Sequence, residues 1–318
     1  MPKKRQPRFV VARAARSQPS PNGTKPPFGY YGAKQRLAAE IIEMLPPHNA
    51  WVEAFCGSAS ITLAKKPAPI EVINDRDGNI VNLFRVLRDD PTALINAVML
   101  TPYARQEFVD SGGSRKQLSA LERARRFLAR TMMTVNGDAN GAGFSCSPSY
   151  TRGGKEARVG RWHNLPERLG KVTERLRNVR VENQDARRLV EMFLDRPATL
   201  IYLDPPYFVK RAHKYVIDAN DIDFHRELLE LCCRAKCMIL LSGYDTPLYR
   251  KMLRAKDGWK RITINTHTRD TNGKDYVRQE VLWQNKHFVK AAKSGRVPIR
   301  LSKAEKRDDK VNPQRGRA

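Results

Sequence analysis

The tetrapeptide Asp204-Pro205-Pro206-Tyr207 stands at the end of an apolar run, Leu200-Ile201-Tyr202-Leu203. Two successive prolines fix the backbone, hold the residue before them extended and remove two amide donors. What remains is a stiff rim of acceptors, because an ionised Asp204 carboxylate only accepts hydrogen bonds and so does the Pro205 carbonyl. Such a pair suits the two hydrogens of an amino group. The amine of a nucleobase is a poor nucleophile, since its lone pair is delocalised into the ring. Two acceptors favour a pyramidal nitrogen with its lone pair aimed at an electrophile, and positioning supplies much of the remaining rate without a covalent enzyme intermediate. Tyr207 offers a flat face on which an extruded base stacks, worth roughly 1–3 kcal/mol against an extrusion cost of a few kcal/mol. The competing structural reading is a proline-stiffened turn with a packed tyrosine.

Other acidic residues follow similar apolar runs. Trp51-Val52-Glu53-Ala54-Phe55 breaks at Cys56-Gly57-Ser58, Ile70-Glu71-Val72-Ile73 ends at Asn74-Asp75, and residues 179–181 precede Asp185. Gly57 is the only glycine of the first turn, so the GxGxxG fingerprint of a pyrophosphate site is absent and a nucleoside without phosphates fits better. Asp75 lies close to the ~20 residues beyond that turn at which an acidic side chain meets ribose hydroxyls. A helix cap is the alternative role for both Asp75 and Asp185.

These residues need strands that end together. Leu37, Ile41, Ile42 and Leu45 recur at helical spacing until Pro46-Pro47. Strand, turn and helix follow through Lys65, then a strand at residues 70–73 and a helix carrying Ile80, Leu83, Phe84 and Leu87. That sequence of elements is a right-handed crossover of a parallel sheet. Alternation resumes with runs at 179–181, 200–203 and 238–241, and residues 262–264 and 277–283 supply a final antiparallel pair. The expected architecture is a mostly parallel α/β sheet whose ligands bind beyond the carboxyl ends of its strands. Residues 28–100 and 179–288 form that domain, and 101–178 an insertion. Residues 1–27 and 289–318 read as a basic arm and a basic tail.

Composition narrows the partner. Lys and Arg number 59 against 33 Asp and Glu, a net charge of +26, which favours polyanions through phosphate contacts and counterion release. The excess is not confined to the ends, since Arg123, Arg125, Arg126, Arg130, Arg152, Lys155, Arg158 and Arg161 lie mid-chain. No apolar run approaches the roughly 20 residues that span a bilayer. The five cysteines lack CxxC spacing and read as reduced thiols, with helix packing rather than metal binding for Cys232, Cys233 and Cys237.

Taken in order, Phe28-Gly29-Tyr30-Tyr31-Gly32-Ala33-Lys34, Val52-Glu53-Ala54-Phe55-Cys56-Gly57-Ser58, Asn74-Asp75, Asp185 and Leu203-Asp204-Pro205-Pro206-Tyr207 resemble the motifs of the Dam-like, D12 class of adenine-specific DNA methyltransferases. The resemblance covers about residues 28–285. It implies a Rossmann-like S-adenosylmethionine-dependent methyltransferase sheet with an inserted, mainly helical target recognition domain. It also implies methyl transfer to the exocyclic N6 amine of an adenine flipped out of double-stranded DNA. By the same resemblance, Tyr30 and Lys34 bind the methionyl end of S-adenosylmethionine, Phe55 and Gly57 line its pocket, Asp75 holds its ribose and Asp185 meets its adenine. Asp204, Pro205, Pro206 and Tyr207 receive the target base, with Asp204 also touching the cofactor. No metal and no membrane are expected, and the protein is expected to act as a monomer in the cytoplasm of a bacterial or phage-infected cell.

The resemblance departs at the insertion. GATC-specific members carry a hairpin pattern like RYNxxGxFNxPFG, whereas residues 136–150 read NGDANGAGFSCSPSY. Arg152, Lys155, Arg158 and Arg161 are the expected DNA contacts, on phosphates or bases, with a solvated loop as the alternative, and a GATC target is not supported. Two other readings stay open: an RNA adenine methyltransferase, and a nucleic-acid-binding protein built on an inactive methyltransferase fold. Asp rather than Asn before Pro-Pro-Tyr and the motif order favour DNA over RNA, and the intact Asp204 motif with Lys34 favours an enzyme.

Overall fold

The computed structural model describes residues 23–29, 34–113, 117–135, 143–146, 151–152, 154–206, 222–243, 245–269 and 275–298. Tyr30 and Tyr207 lie outside these residues. Seven strands form one sheet: β1 (Ala50–Glu53), β2 (Ile70–Asn74), β5 (Val179–Glu182), β6 (Thr199–Leu203), β7 (Met238–Gly243), β8 (Lys260–Arg269) and β9 (Asp275–Gln284). Their order is β5-β2-β1-β6-β7-β9-β8, parallel from β5 through β7, with β9 antiparallel to both β7 and β8. The order reverses between β1 and β6, which places a crevice at the carboxyl ends of those two strands. The sheet is therefore the expected mostly parallel α/β sheet with a closing antiparallel pair.

Period-2 alternation sends side chains to two separate layers. Trp51, Leu200, Tyr202, Met238, Leu240 and Leu282 pack with Leu37, Ile41 and Phe288. These last belong to or adjoin α1 (Ala38–Glu43) and α12 (Lys286–Ser294). On the same face, Ile73, Val179 and Val181 pack against α3 (Gly78–Asp89), α6 (Ala120–Met132) and α8 (Leu165–Leu176). Val52, Val72, Ile201, Ile239 and Val281 face the other way, onto α9 (Ala186–Phe193), α10 (Ile222–Arg234) and α11 (Pro247–Met252). Helix α2 (Ser60–Ala64) follows β1 directly.

Two expected boundaries move. The chain is already packed before Phe28, because Thr24 N–H bonds to the Leu63 carbonyl at 3.0 Å and Pro26 and Pro27 are buried. The expected tail at 289 begins too early, because α12 runs to Ser294 and buries Phe288 and Ala291. Its start is fixed by Asn285, whose Oδ1 accepts from Phe288 N–H at 2.9 Å while its amide donates to the Cys237 carbonyl at 2.9 Å.

Between β2 and β5 come α4 (Pro91–Met99), α5 (Arg105–Ser111), α6, a hairpin of β3 (Thr151–Arg152) and β4 (Lys155–Glu156), α7 (Ala157–His163) and α8. This stretch is mainly helical and shares its core with α3. The basic helix α6 is not a free cationic face. Arg125 bonds Glu122 and Glu107, Arg126 bonds Glu122, and Arg123 bonds Asn82. Those three arginines fasten helices to one another.

Candidate active site

The Asp204 carboxylate follows β6 at the switch between β1 and β6 and holds the Lys34 ammonium, with Nζ at 2.8 Å from both Oδ1 and Oδ2. Lys34 is delivered by a 3-10 turn, Lys34–Arg36, ahead of α1, and is 6% exposed. The same ammonium lies 3.7 Å from Glu280 Oε1, and Ser242 Oγ donates to that oxygen at 2.8 Å. Pro205 is buried and Pro206 half-buried. Neither Glu280 nor Ser242 stands out in the sequence as a site residue. The available signal was alternation: Glu280 shares the register of Leu282, an inward position where an acid is out of place.

Glu53 closes β1 on the same face, 2% exposed. Its Oε2 accepts from Thr62 N–H at 3.1 Å and from the Thr62 hydroxyl, which in turn accepts from Trp51 Nε1 at 2.7 Å. Burial pushes Glu53 up to about 7; the two Thr62 bonds oppose this, and the Asp204 charge adds to it. Trp51 and Tyr202 stack beneath, 6.0 Å apart and 12° from parallel, and form an apolar floor.

The turn after β1 is tied to the end of β2. Gly57 takes φ 48, where a side chain would be strained, and its N–H donates to Asp75 Oδ2 at 2.8 Å. Ala59 also adopts a left-handed conformation, φ 54, which costs about 1 kcal/mol or more and is the kind of strain found at ligand sites. Asp75 Oδ1 accepts from Asp77 N–H at 2.9 Å. Burial raises Asp75 to about 6 despite these two bonds. The cap of α3 is not Asp75 but Asp77, which accepts from Asn79 N–H at 2.8 Å. Asn74 joins three strand ends, donating to the Ala54 and Gln184 carbonyls and accepting from Gln184 N–H.

Asp185 does cap its helix, accepting from Arg187 N–H at 2.9 Å, and it also pairs with the Arg187 guanidinium at 2.6 Å. The Arg187 hydrogen bonds hold its carboxyl below the usual range. It lines a cleft of about 730 Å³ together with Arg76, Gln184 and Arg187. Phe55 is half-buried and meets Phe224 edge-on at 6.2 Å, and Arg187 lies over Phe224 at 4.9 Å. The structure thus groups Lys34, Asp204 and Glu53 in one polar cluster and Gly57 with Asp75 beside it. Asp185 stands one strand further out.

Arg152 and Lys155 are backbone partners in the β3–β4 ladder, and Gly154 takes φ 71. Arg158 and Arg161 follow on α7, where their charges repel, and neither has an acidic partner among the described residues. These residues lie on the hairpin and helix of the long connection between β2 and β5. Also among the described residues, no group of three or more His, Cys, Asp or Glu is arranged to hold a metal, and no helix is long and apolar enough to cross a membrane.

The type II methyltransferase M1.LlaDCHI of Lactococcus lactis subsp. cremoris is 27% identical over 192 residues, which cover 55% of this chain and 63% of that relative. Among solved structures, the precorrin 8w decarboxylase of Methanobacterium thermoautotrophicum has a TM-score of 0.36 at 9% identity, over 85% of this chain and 99% of its own. The rRNA methyltransferase aviRa of Streptomyces viridochromogenes has a TM-score of 0.35 at 14% identity, over 90% and 96%. Likenesses that slight add nothing to the sheet topology. The family described as D12 class N6 adenine-specific DNA methyltransferase matches residues 30–267, a span that runs through Lys34, Gly57, Asp75, Asp185 and Asp204. This chain belongs to that D12 class of N6 adenine-specific DNA methyltransferases.

Proposed function

We propose that the protein transfers a methyl group from S-adenosylmethionine to the exocyclic amine of an adenine extruded from double-stranded DNA. The observation that carries this reading is the Asp204 carboxylate at the switch crevice, stiffened by Pro205 and Pro206 and anchored by Lys34.

The donor set fits the cofactor. The Asp204 carboxylate, with the buried Glu53 close enough to feel its charge, makes the strand end acidic, which suits a cation such as a sulfonium. Asp75 carries acceptor oxygens for a ribose diol next to the Gly57 turn, and Phe55 lines the same strand end. Bound there, the cofactor supplies an electrophilic methyl carried on positive sulfur. Asp204 accepts a hydrogen bond from the target amine and orients its lone pair, and the buried Trp51–Tyr202 floor keeps water from beneath the cluster. Tyr207 remains the proposed stacking face and Tyr30 the partner of Lys34 at the methionyl end. Lys34 acts first on Asp204, and Asp185 reaches a cofactor adenine only with the acceptor capacity that Arg187 leaves it.

Arg152, Lys155, Arg158 and Arg161 are the proposed DNA contacts, on a hairpin and helix suited to a groove and its phosphates. Incubating the purified chain with methyl-labelled cofactor and duplex DNA, single-stranded DNA or RNA tests the whole reading. Label on the adenine amine of duplex DNA is expected, and label in RNA alone overturns it.

A further inference from the structure

The Lys34 ammonium sits symmetrically in the fork of Asp204, 2.8 Å from each oxygen, while a second carboxylate waits 3.7 Å away. Glu280 is 9% exposed and Ser242, which fixes its Oε1, is wholly buried. A buried acid at an inward position of β9, flanked by Leu282 and paired with Ile264 of β8, is costly unless it answers a charge. Lys34 is a charge within its reach. The cation also works against the chemistry at Asp204, because an ammonium in the fork weakens the oxygens as acceptors and repels an amine nitrogen that is gaining positive charge. A lysine is a point charge on a flexible stem, so a displacement of about 1 Å turns the longer contact into a charge-assisted hydrogen bond.

We propose that Glu280, aimed by Ser242, is a positioning residue that offers the Lys34 ammonium a second seat when Asp204 takes up the target amine. Lys34 then acts as a movable counter-ion that holds Asp204 in place before substrate enters and yields it afterwards. The inference rests on the reading of Asp204 as the amine acceptor.

Two measurements decide it. In a crystal structure of full-length Asp204→Asn, which removes the first seat's charge, Lys34 Nζ is expected within about 3 Å of Glu280 Oε1. An ammonium still more than about 3.5 Å from Glu280 overturns the proposal, and this arm needs no turnover. In single-turnover methylation of a duplex oligonucleotide, Glu280→Gln is expected to slow transfer roughly 100-fold. Its cofactor Kd, DNA Kd and thermal midpoint are expected to stay near wild type. Glu280→Asp should recover part of the rate, and Ser242→Ala should fall between the two. A wild-type rate in Glu280→Gln, or a rate loss matched by an equal loss of cofactor affinity, overturns the second seat. A wild-type chain that methylates no nucleic acid at all overturns the proposed function instead, and the Asp204→Asn structure still decides where Lys34 goes.

Discussion

Glu53 and Glu71 are buried glutamates on neighbouring strands, both linked to Thr62, and they titrate in opposite directions. Glu71, at the amino end of the sheet, receives Lys65 at 2.6 Å and Arg175 at 2.5 Å, and Arg175 also donates to the Thr62 carbonyl at 2.6 Å. Although burial pushes Glu71 up, these cations win and hold it below the ordinary carboxyl range. Glu53, at the carboxyl end, has only the Thr62 donors and is raised to about 7. One end of the sheet brackets its acid with two cations and works as a fastening, tying α8 to β2. The other sets the carboxylates of Asp204 and Glu280 about the one ammonium of Lys34. Buried carboxyls shifted upward are the kind expected at a functional site, and under the proposed function Glu53 belongs to it.

The sharpest test of this contrast is Asp204→Ala. It is expected to lower methyl transfer by about 10³-fold or more while leaving the thermal midpoint and salt-sensitive DNA binding close to wild type. Normal turnover by that variant, in the labelled-methyl assay, removes the mechanism.

Arg175→Met is the converse experiment. Removing one partner of a buried ion cluster should cost about 3 kcal/mol of stability in urea unfolding, with single-turnover rate preserved at a temperature where the variant is folded. A rate loss larger than the stability loss would erase the division between the two ends.

Acid and base limbs of stability sharpen the comparison further. A proton retained by Glu53 to about pH 7, against the ordinary 4.5, is bound in the folded chain and released in the unfolded one between those values. Stability from this group is therefore full below 4.5 and lost as pH rises through 7, by about 3 kcal/mol. Glu53→Gln should flatten that fall between pH 5 and 8. Glu71 is depressed, so its contribution is present above its unfolded value and lost as pH drops below it, and Glu71→Gln should alter only the acid limb. Thermal melts across pH 3 to 9 check both, and a Glu53→Gln curve parallel to wild type would show that Glu53 is ionised throughout.

The smallest expected effects separate two sets of arginines. Arg158→Ala and Arg161→Ala should each reduce the salt slope of DNA binding by about 1, with a modest affinity loss. Arg125→Ala, which breaks pairs to Glu107 and Glu122, should lower stability and leave the slope alone. Equal slopes for all three would dissolve the distinction.

Much of the fold was legible in local pattern. Apolar runs bounded by Asp, Asn and Gly gave the strands, because a parallel strand buried on both faces must be apolar throughout and its polar residues collect where it ends. The crossover helices followed from 3.6-residue spacing. Asp204, Gly57 and Asp75 stood out for that reason, each beside a break in hydrophobicity. Less visible were Glu280 and the pairing of Lys34. Glu280 lies inside a strand run, and Lys34 meets an acid 170 residues away. The arginines of α6 add to the mid-chain basic excess, but composition counts charges without showing that Glu107, Glu122 and Asn82 engage them.

The sequence by itself determined the sheet, the switch crevice and the acceptor rim of Asp204-Pro205-Pro206, because strand ends and proline geometry are local properties of the chain. Only the tertiary structure decided which carboxylates keep a proton, which arginines are spent on the fold, and that one lysine stands between two acids. Those outcomes depend on burial and on charges brought close from distant segments, and neither quantity exists until the chain has folded.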